Sequence, residues 1–257
     1  MKKITLLKGG ISGDFVYKDD NNIVYKVTKN KKRVPFIEKQ YKDLLKIKEY
    51  VFKDINVIDI PIIENSIGNS MIGNDECFGY KMKFIHTVNK DKNFDNIIDI
   101  YFNTIKKFKP YTEEQYNFNN YIAYVNNIIK KFEDYPEIYN DYFQYFNNFA
   151  KLKESYFTER VSMCHGDLSI ENILYDGNKI YLIDSNLKDN FWQSYLLDVT
   201  KIIQYYSLDN LHTIKNNSKE LNFLLSTHFL RALPYALEKD NKTFEYFKKG
   251  ITEILKQ

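Results

Sequence analysis

The sequence predicts an α+β protein in two parts, a small antiparallel sheet with one helix over residues 1–85 and a larger, mainly helical part over 86–257. Three observations carry this. Short β-branched and aromatic runs punctuated by Gly, Asp and Asn crowd the first 30 residues. A single helix-periodic segment follows them. Beyond about residue 94 apolar residues recur at helical spacing, interrupted by one apolar hairpin near 173–183.

Residues 4–8, 15–18 and 23–28 read as strands, with Asp19-Asp20-Asn21-Asn22 as a hairpin turn. After Pro35, Ile37, Tyr41, Leu44, Leu45 and Val51 trace one face of an amphipathic helix. Two further strands are expected around Val57–Ile63 and Phe78–Ile85, with a loop from Asn65 to Asn74 between them. Ile97, Tyr101, Ile105 and Phe108 then mark a helix, and further helices are expected around 115–133, 139–155 and from about Trp192 onward. The hairpin between them consists of Ile173–Tyr175 and Ile180–Ile183, joined by Asp176-Gly177-Asn178-Lys179.

Composition removes several function classes. The chain of 257 residues is long enough for a sizeable core, and no apolar run approaches the roughly 20 residues a membrane span needs. The opening Met1 to Gly10 is interrupted by Gly9 and Gly10 and reads as a first strand rather than a signal peptide, so a cytoplasmic location is expected. Cys77 and Cys164 lie in no CxxC pair or Cys/His cluster and read as buried thiols. The net charge of +3 comes from interspersed Lys and Asp/Glu, which argues against a nucleic-acid partner, and the run Lys29, Lys31, Lys32, Arg33 reads as a solvated loop.

The chemistry concentrates in Cys164-His165-Gly166-Asp167-Leu168-Ser169-Ile170-Glu171-Asn172, followed by Tyr181-Leu182-Ile183-Asp184. Phosphoryl transfer needs a carboxylate to orient or deprotonate the attacking hydroxyl and oxygen ligands to hold Mg²⁺ on the phosphates. Asp167, Asn172 and Asp184 form such a set. Asp167 and Asn172 share one loop, and Asp184 ends the strand that follows.

This stretch resembles the HGDxxxxN motif and following strand-Asp of the aminoglycoside phosphotransferase and choline kinase family. The resemblance implies a two-lobed protein-kinase-like fold with ATP and Mg²⁺ as cofactors. It implies Asp167 as catalytic base, Asn172 and Asp184 as magnesium ligands, and His165 as loop scaffold. Lys26, on the third strand, is placed as the lysine that contacts the nucleotide phosphates, with Glu38 of the following helix as its partner. Gly10, Ser12 and Gly13 lie in the loop upstream of the lysine strand, where backbone N–H groups can approach phosphate oxygens. Met82, Phe84 and Ile85 lie where the resemblance puts the adenine-reading hinge, and Asp198 where it puts an aspartate bracing the catalytic loop.

The expected partner is a small-molecule hydroxyl acceptor. Residues 190–257 carry nine Lys/Arg against seven Asp/Glu, which disfavours a polycationic aminoglycoside. Phe191, Trp192 and Tyr195 could form an aromatic cage for choline, or pack as helix core. A neutral sugar or other small alcohol, as in bacterial surface-glycan metabolism, is the leading expectation. The rivals are a protein kinase and a non-catalytic kinase-like binding module. The first lacks the HRD form and an APE-like segment, and the second would normally have lost one of Lys26, Asp167, Asn172 or Asp184.

Overall fold

The computed structural model describes residues 4–7, 14–51, 55–89, 91–105, 118–151, 164–186, 195–206 and 219–255. The chain divides into two compact units, Met1–Lys107 with Glu171–Leu187, and Phe108–Ile170 with Lys188–Gln257.

The first unit is built on a five-stranded antiparallel sheet. Strands β1 (Ile4–Leu7), β2 (Phe15–Asp19) and β3 (Ile23–Thr28) run as a meander, and β6 (Asp75–Lys83) lies between β3 and β5 (Gly68–Ile72). The β2–β3 turn is closed by Asp19, whose Oδ1 accepts the amides of Asn21 and Ile23 while Asn22 takes a φ of 58°. Strand β5 falls inside the segment expected to be a loop. Its Asn and Ser side chains alternate over an edge strand, and Gly73 at φ 64° turns the chain directly into β6.

Helix α1 (Val34–Val51) buries Ile37, Gln40, Tyr41, Leu44 and Ile47, one stripe at i, i+3, i+4, i+7 and i+10. It packs on β3 and β6, and on that sheet face lie Val24, Lys26, Tyr80 and Met82. The opposite face holds a small cluster of Val27, Ile72 and Cys77. The basic run before α1 is not uniformly solvated. Lys31 and Lys32 are exposed, but the Arg33 guanidinium grips the buried Asp14 carboxylate through Nε at 3.1 Å and Nη2 at 2.5 Å.

The expected strand at 57–63 divides: β4 (Ile58–Asp59) pairs in parallel with β8 (Ile180–Leu182), while Ile62 bridges Met82 of β6 in the large sheet. With β7 (Ile173–Tyr175) they form a second, three-stranded sheet in the order β4-β8-β7. That pairing draws the hairpin into the first unit, whose boundary therefore departs from residue 85 and also takes in α2 (Phe94–Ile105).

The second unit is helical in its described parts: α3 (Phe118–Ile129), α4 (Pro136–Lys151), α5 (Tyr195–Tyr206), α6 (Lys219–Lys239) and α7 (Asn241–Leu255). Its core gathers Val125, Ile129, Phe132, Ile138, Leu197, Phe223, Phe229, Leu233 and Ile251. Asp240 separates α6 from α7 and caps the latter by accepting the Thr243 amide at 2.7 Å. Cys77 and Cys164 are both buried thiols, as their sequence settings indicate. Among the described residues no helix is long and apolar enough to cross a membrane.

Candidate active site

In the first unit the chemistry gathers around Lys26. Its position in β3 opposite Tyr80 turns the side chain to the face that α1 covers, and only 5% of the residue is exposed. The ammonium pairs with the Asp184 carboxylate at 2.6 Å. Asp184 follows β8 with a φ of 60°, a left-handed conformation that aspartate tolerates better than a β-branched residue. The approach of β6 to the lysine strand depends on Gly79. A Cβ there would meet the Lys26 carbonyl oxygen and stand 2.7 Å from the Val27 Cα, so any larger residue must part the strands.

Among the described residues Lys26 makes its ion pair with Asp184 and none with Glu38. Glu38 lies one position off the buried stripe of α1 and is half-buried. The polar side chain that α1 turns to the sheet is Gln40, which was not singled out in the sequence. Its Nε2 donates to the Ser185 carbonyl at 3.1 Å and its Oε1 accepts from the Tyr80 hydroxyl at 3.0 Å. Burial, and then the charges of Asp184 and Asp14, push the Tyr80 hydroxyl well above its ordinary range, so it stays a donor. The signal for Gln40 was a polar residue inside the stripe Ile37, Tyr41, Leu44 and Ile47.

Asn172 closes a 3₁₀ turn before β7, and its carbonyl accepts the Ile183 amide at 3.0 Å, tying it to the residue before Asp184. One carboxylate and one amide oxygen suit Mg²⁺, which binds few protein oxygens and keeps the rest of its shell for water and phosphate. No cluster of three or more His, Cys, Asp or Glu among the described residues offers a protein-only cage. The Asn172 and Asp184 oxygens are of the type that magnesium takes from protein.

Near the expected hinge, Met82 is buried in the sheet core. The Phe84 ring lies under the Lys18 ammonium at 4.1 Å and edge-on to His86, its amide donating to the Asn22 carbonyl, while Ile85 is half-buried. Gly10, Ser12 and Gly13, and Phe191 and Trp192, lie outside the described residues, and Tyr195 begins α5.

In the second unit the loop carrying Asp167 is held from α5. Asp198, 1% exposed, accepts the amides of His165 at 2.6 Å and Gly166 at 2.9 Å, one on each carboxylate oxygen. Gly166 sits at φ 80°, which a side chain would resist. His165, Leu168 and Ile170 point inward and are buried, whereas Asp167 stays one-third exposed. Three residues beyond Asp198, the Lys201 ammonium stands 3.7 Å from Asp167 Oδ1.

No protein-family model and no curated protein sequence matches this chain. Solved structures do. The GDP complex of aminoglycoside 2'-phosphotransferase-IIIa aligns over 99% of this chain and 92% of its own, at 13% identity and a TM-score of 0.63. A putative fructosamine-3-kinase from Haemophilus somnus aligns over the same shares at 14% identity and 0.62. A microcompartment-associated aminopropanol kinase covers 98% of this chain and 89% of its own, at 12% and 0.54. At such identities the likeness is one of architecture, and by that architecture the chain has the two-lobed, kinase-like α+β fold of the aminoglycoside phosphotransferases.

Proposed function

We propose that this protein transfers the γ-phosphoryl group of Mg·ATP to a hydroxyl of a small molecule, a sugar or an amino alcohol such as choline. The observation that carries this is the ion pair of the buried Lys26 with Asp184, which brings a lysine of the third strand to the carboxylate that follows the hairpin. A cation and a metal-binding carboxylate side by side are what the phosphates of a nucleotide require. The fold, shared with enzymes named for aminoglycoside, fructosamine and aminopropanol, adds support.

Asn172 and Asp184 would hold magnesium, which when bound neutralises charge on the phosphates. Lys26, released from Asp184, places its ammonium on phosphate oxygens. Asp167 accepts the proton of the acceptor hydroxyl as the acceptor oxygen bonds to the γ-phosphorus and the bond to the β-phosphate oxygen breaks, leaving ADP. Asp198 keeps the loop backbone in place for that transfer by engaging the His165 and Gly166 amides.

The test is nucleotide consumption with Mg²⁺ over a panel of sugars, choline, ethanolamine, aminoglycosides and generic protein substrates, with ATP and GTP as donors and Asp167→Asn as blank. Turnover that requires one small acceptor and vanishes in the blank is the expected result. Phosphorylation of protein substrates alone, or nucleotide binding with no transfer to any acceptor, would replace this proposal with a protein kinase or a binding module.

A further inference from the structure

Helix α5 does more than brace a backbone. Asp198 and Lys201, three residues apart, project from the same side of the helix, the first to the His165 and Gly166 amides and the second to the Asp167 side chain. Lys201 is only 20% exposed. Its ammonium is held one turn on by Gln204, whose Oε1 accepts from Nζ at 3.1 Å and which is itself buried. The distance of 3.7 Å to Asp167 is that of an ion pair rather than a hydrogen bond, so the cation attracts the carboxylate without itself taking one of its lone pairs as a donor.

We propose that Lys201 is a positioning residue for phosphoryl transfer, a fixed cation that orients the Asp167 carboxylate toward the acceptor hydroxyl. This rests on Asp167 acting as the base. The sequence motif does not contain it, because the cation arrives from a helix more than thirty residues later. The base of α5 is also fixed from below: His228 Nε2 meets the Leu197 carbonyl at 3.0 Å, and its Nδ1 has no hydrogen-bond partner among the described residues. Burial, and then the charges of Lys201 and Arg231, keep His228 neutral, so it adds no competing charge beside Lys201.

Two measurements separate this role from a structural one. Lysine ammonium groups are reductively methylated with ¹³C-formaldehyde, and the Lys201 resonance is assigned by its loss in Lys201→Arg. Introducing Asp167→Asn is expected to move that resonance while leaving those of distant lysines in place. An unmoved Lys201 resonance overturns the pairing, whatever the enzyme's acceptor. In steady-state assays Lys201→Met is expected to lower kcat on the order of 10- to 10²-fold, the scale of a misoriented reacting group. Its Mg·ATP affinity by calorimetry and its melting temperature should stay near wild type, with most of the rate returning in Lys201→Arg. A Lys201→Met enzyme with wild-type kcat overturns the positioning role, as does one whose ATP affinity falls in step with its rate. A wild-type protein that turns over no acceptor while the Lys201 resonance still responds to Asp167→Asn instead overturns the phosphotransferase proposal, and this role with it.

Discussion

The two lysine–aspartate pairs contrast in a way that sorts their tasks. Lys26 and Asp184 meet at 2.6 Å with the lysine side chain 6% exposed, inside a lattice of hydrogen bonds from Tyr80 through Gln40 to Ser185. Lys201 and Asp167 stand 3.7 Å apart, both partly exposed. The short pair sets a lysine that water barely reaches against a carboxylate that is one-third exposed, so the buried ammonium cannot give up its partner unless another anion replaces it. A nucleotide with its metal supplies that anion, and a cation for the carboxylate, at once. The long pair has no such exchange to make, and its looser geometry leaves Asp167 able to meet a third group. The contrast also explains why an uncharged side chain at Gln40 suffices. With Asp184 as its counter-ion, Lys26 needs no carboxylate from α1, and the amide is free to fix the segment that carries Asp184.

The sharpest way to break the comparison is to remove Asp184. Asp184→Ala is expected to abolish magnesium-dependent nucleotide binding, measured by calorimetry with and without the metal, since it deletes the one carboxylate of the donor set. Wild-type Mg·ATP affinity in that variant would take Asp184 out of the metal site.

Asp167→Asn should do the reverse. Nucleotide affinity is expected to survive while turnover falls by roughly 10²–10⁴-fold, the scale of a positioned general base. If turnover and Mg·ATP affinity fell together, the two pairs would not have separate tasks.

Gln40→Leu sharpens the contrast at the level of stability. It keeps the volume of the α1 stripe but leaves the buried Tyr80 hydroxyl and the Ser185 carbonyl without their partner, a loss of about 1–3 kcal/mol in chemical denaturation. Gln40→Glu is the informative companion. A carboxylate there would compete for Lys26 and should weaken its hold on Asp184, visible as a change in magnesium dependence. Identical magnesium titrations for Gln40→Glu and wild type would show that the amide has no bearing on the pair.

The candidate site could be read in the sequence because its residues are local. Asp167, Asn172 and Asp184 lie within one loop and one hairpin, and Lys26 lies on a strand whose register follows from the Asp19–Asn22 turn. What was not legible depends on contacts between segments far apart in the chain. Of the strand expected at 57–63, Ile62 does bridge β6, but the parallel pairing of β4 to β8 is decided by a partner more than a hundred residues later. Strand β5 carries Gly, Asn and Ser where strands usually carry β-branched residues, and only its position at the sheet edge beside β6 makes it a strand. Glu38 is expected to face the sheet because it shares a helical face with Tyr41 and Leu45. The face was set instead by Ile37, Tyr41, Leu44 and Ile47, and Gln40 lies on it. Lys201 could not be found at all without knowing that α5 reaches back to the loop at 165–167.

The smallest effect concerns the support beneath the looser pair. His228 is buried against the Leu197 carbonyl, and burial, with Lys201 and Arg231 nearby, holds its imidazole well below the ordinary histidine range. In the unfolded chain the same side chain takes up a proton near about pH 6.5. Between that value and the lower folded one, the unfolded state binds more protons, so the stability due to neutral burial is complete above about pH 6.5 and is lost as the pH falls. The loss reaches at most about 1.4 kcal/mol per pH unit. Urea unfolding of wild type and His228→Gln between pH 5 and 8 isolates this contribution, because Gln can still donate to Leu197 but does not titrate. The wild-type curve should drop more steeply below pH 6.5 than that of the variant. Parallel curves would mean that the folded protein protonates His228 as readily as the unfolded chain does, and that α6 sets a positive charge near Lys201 which the long ion pair would have to withstand.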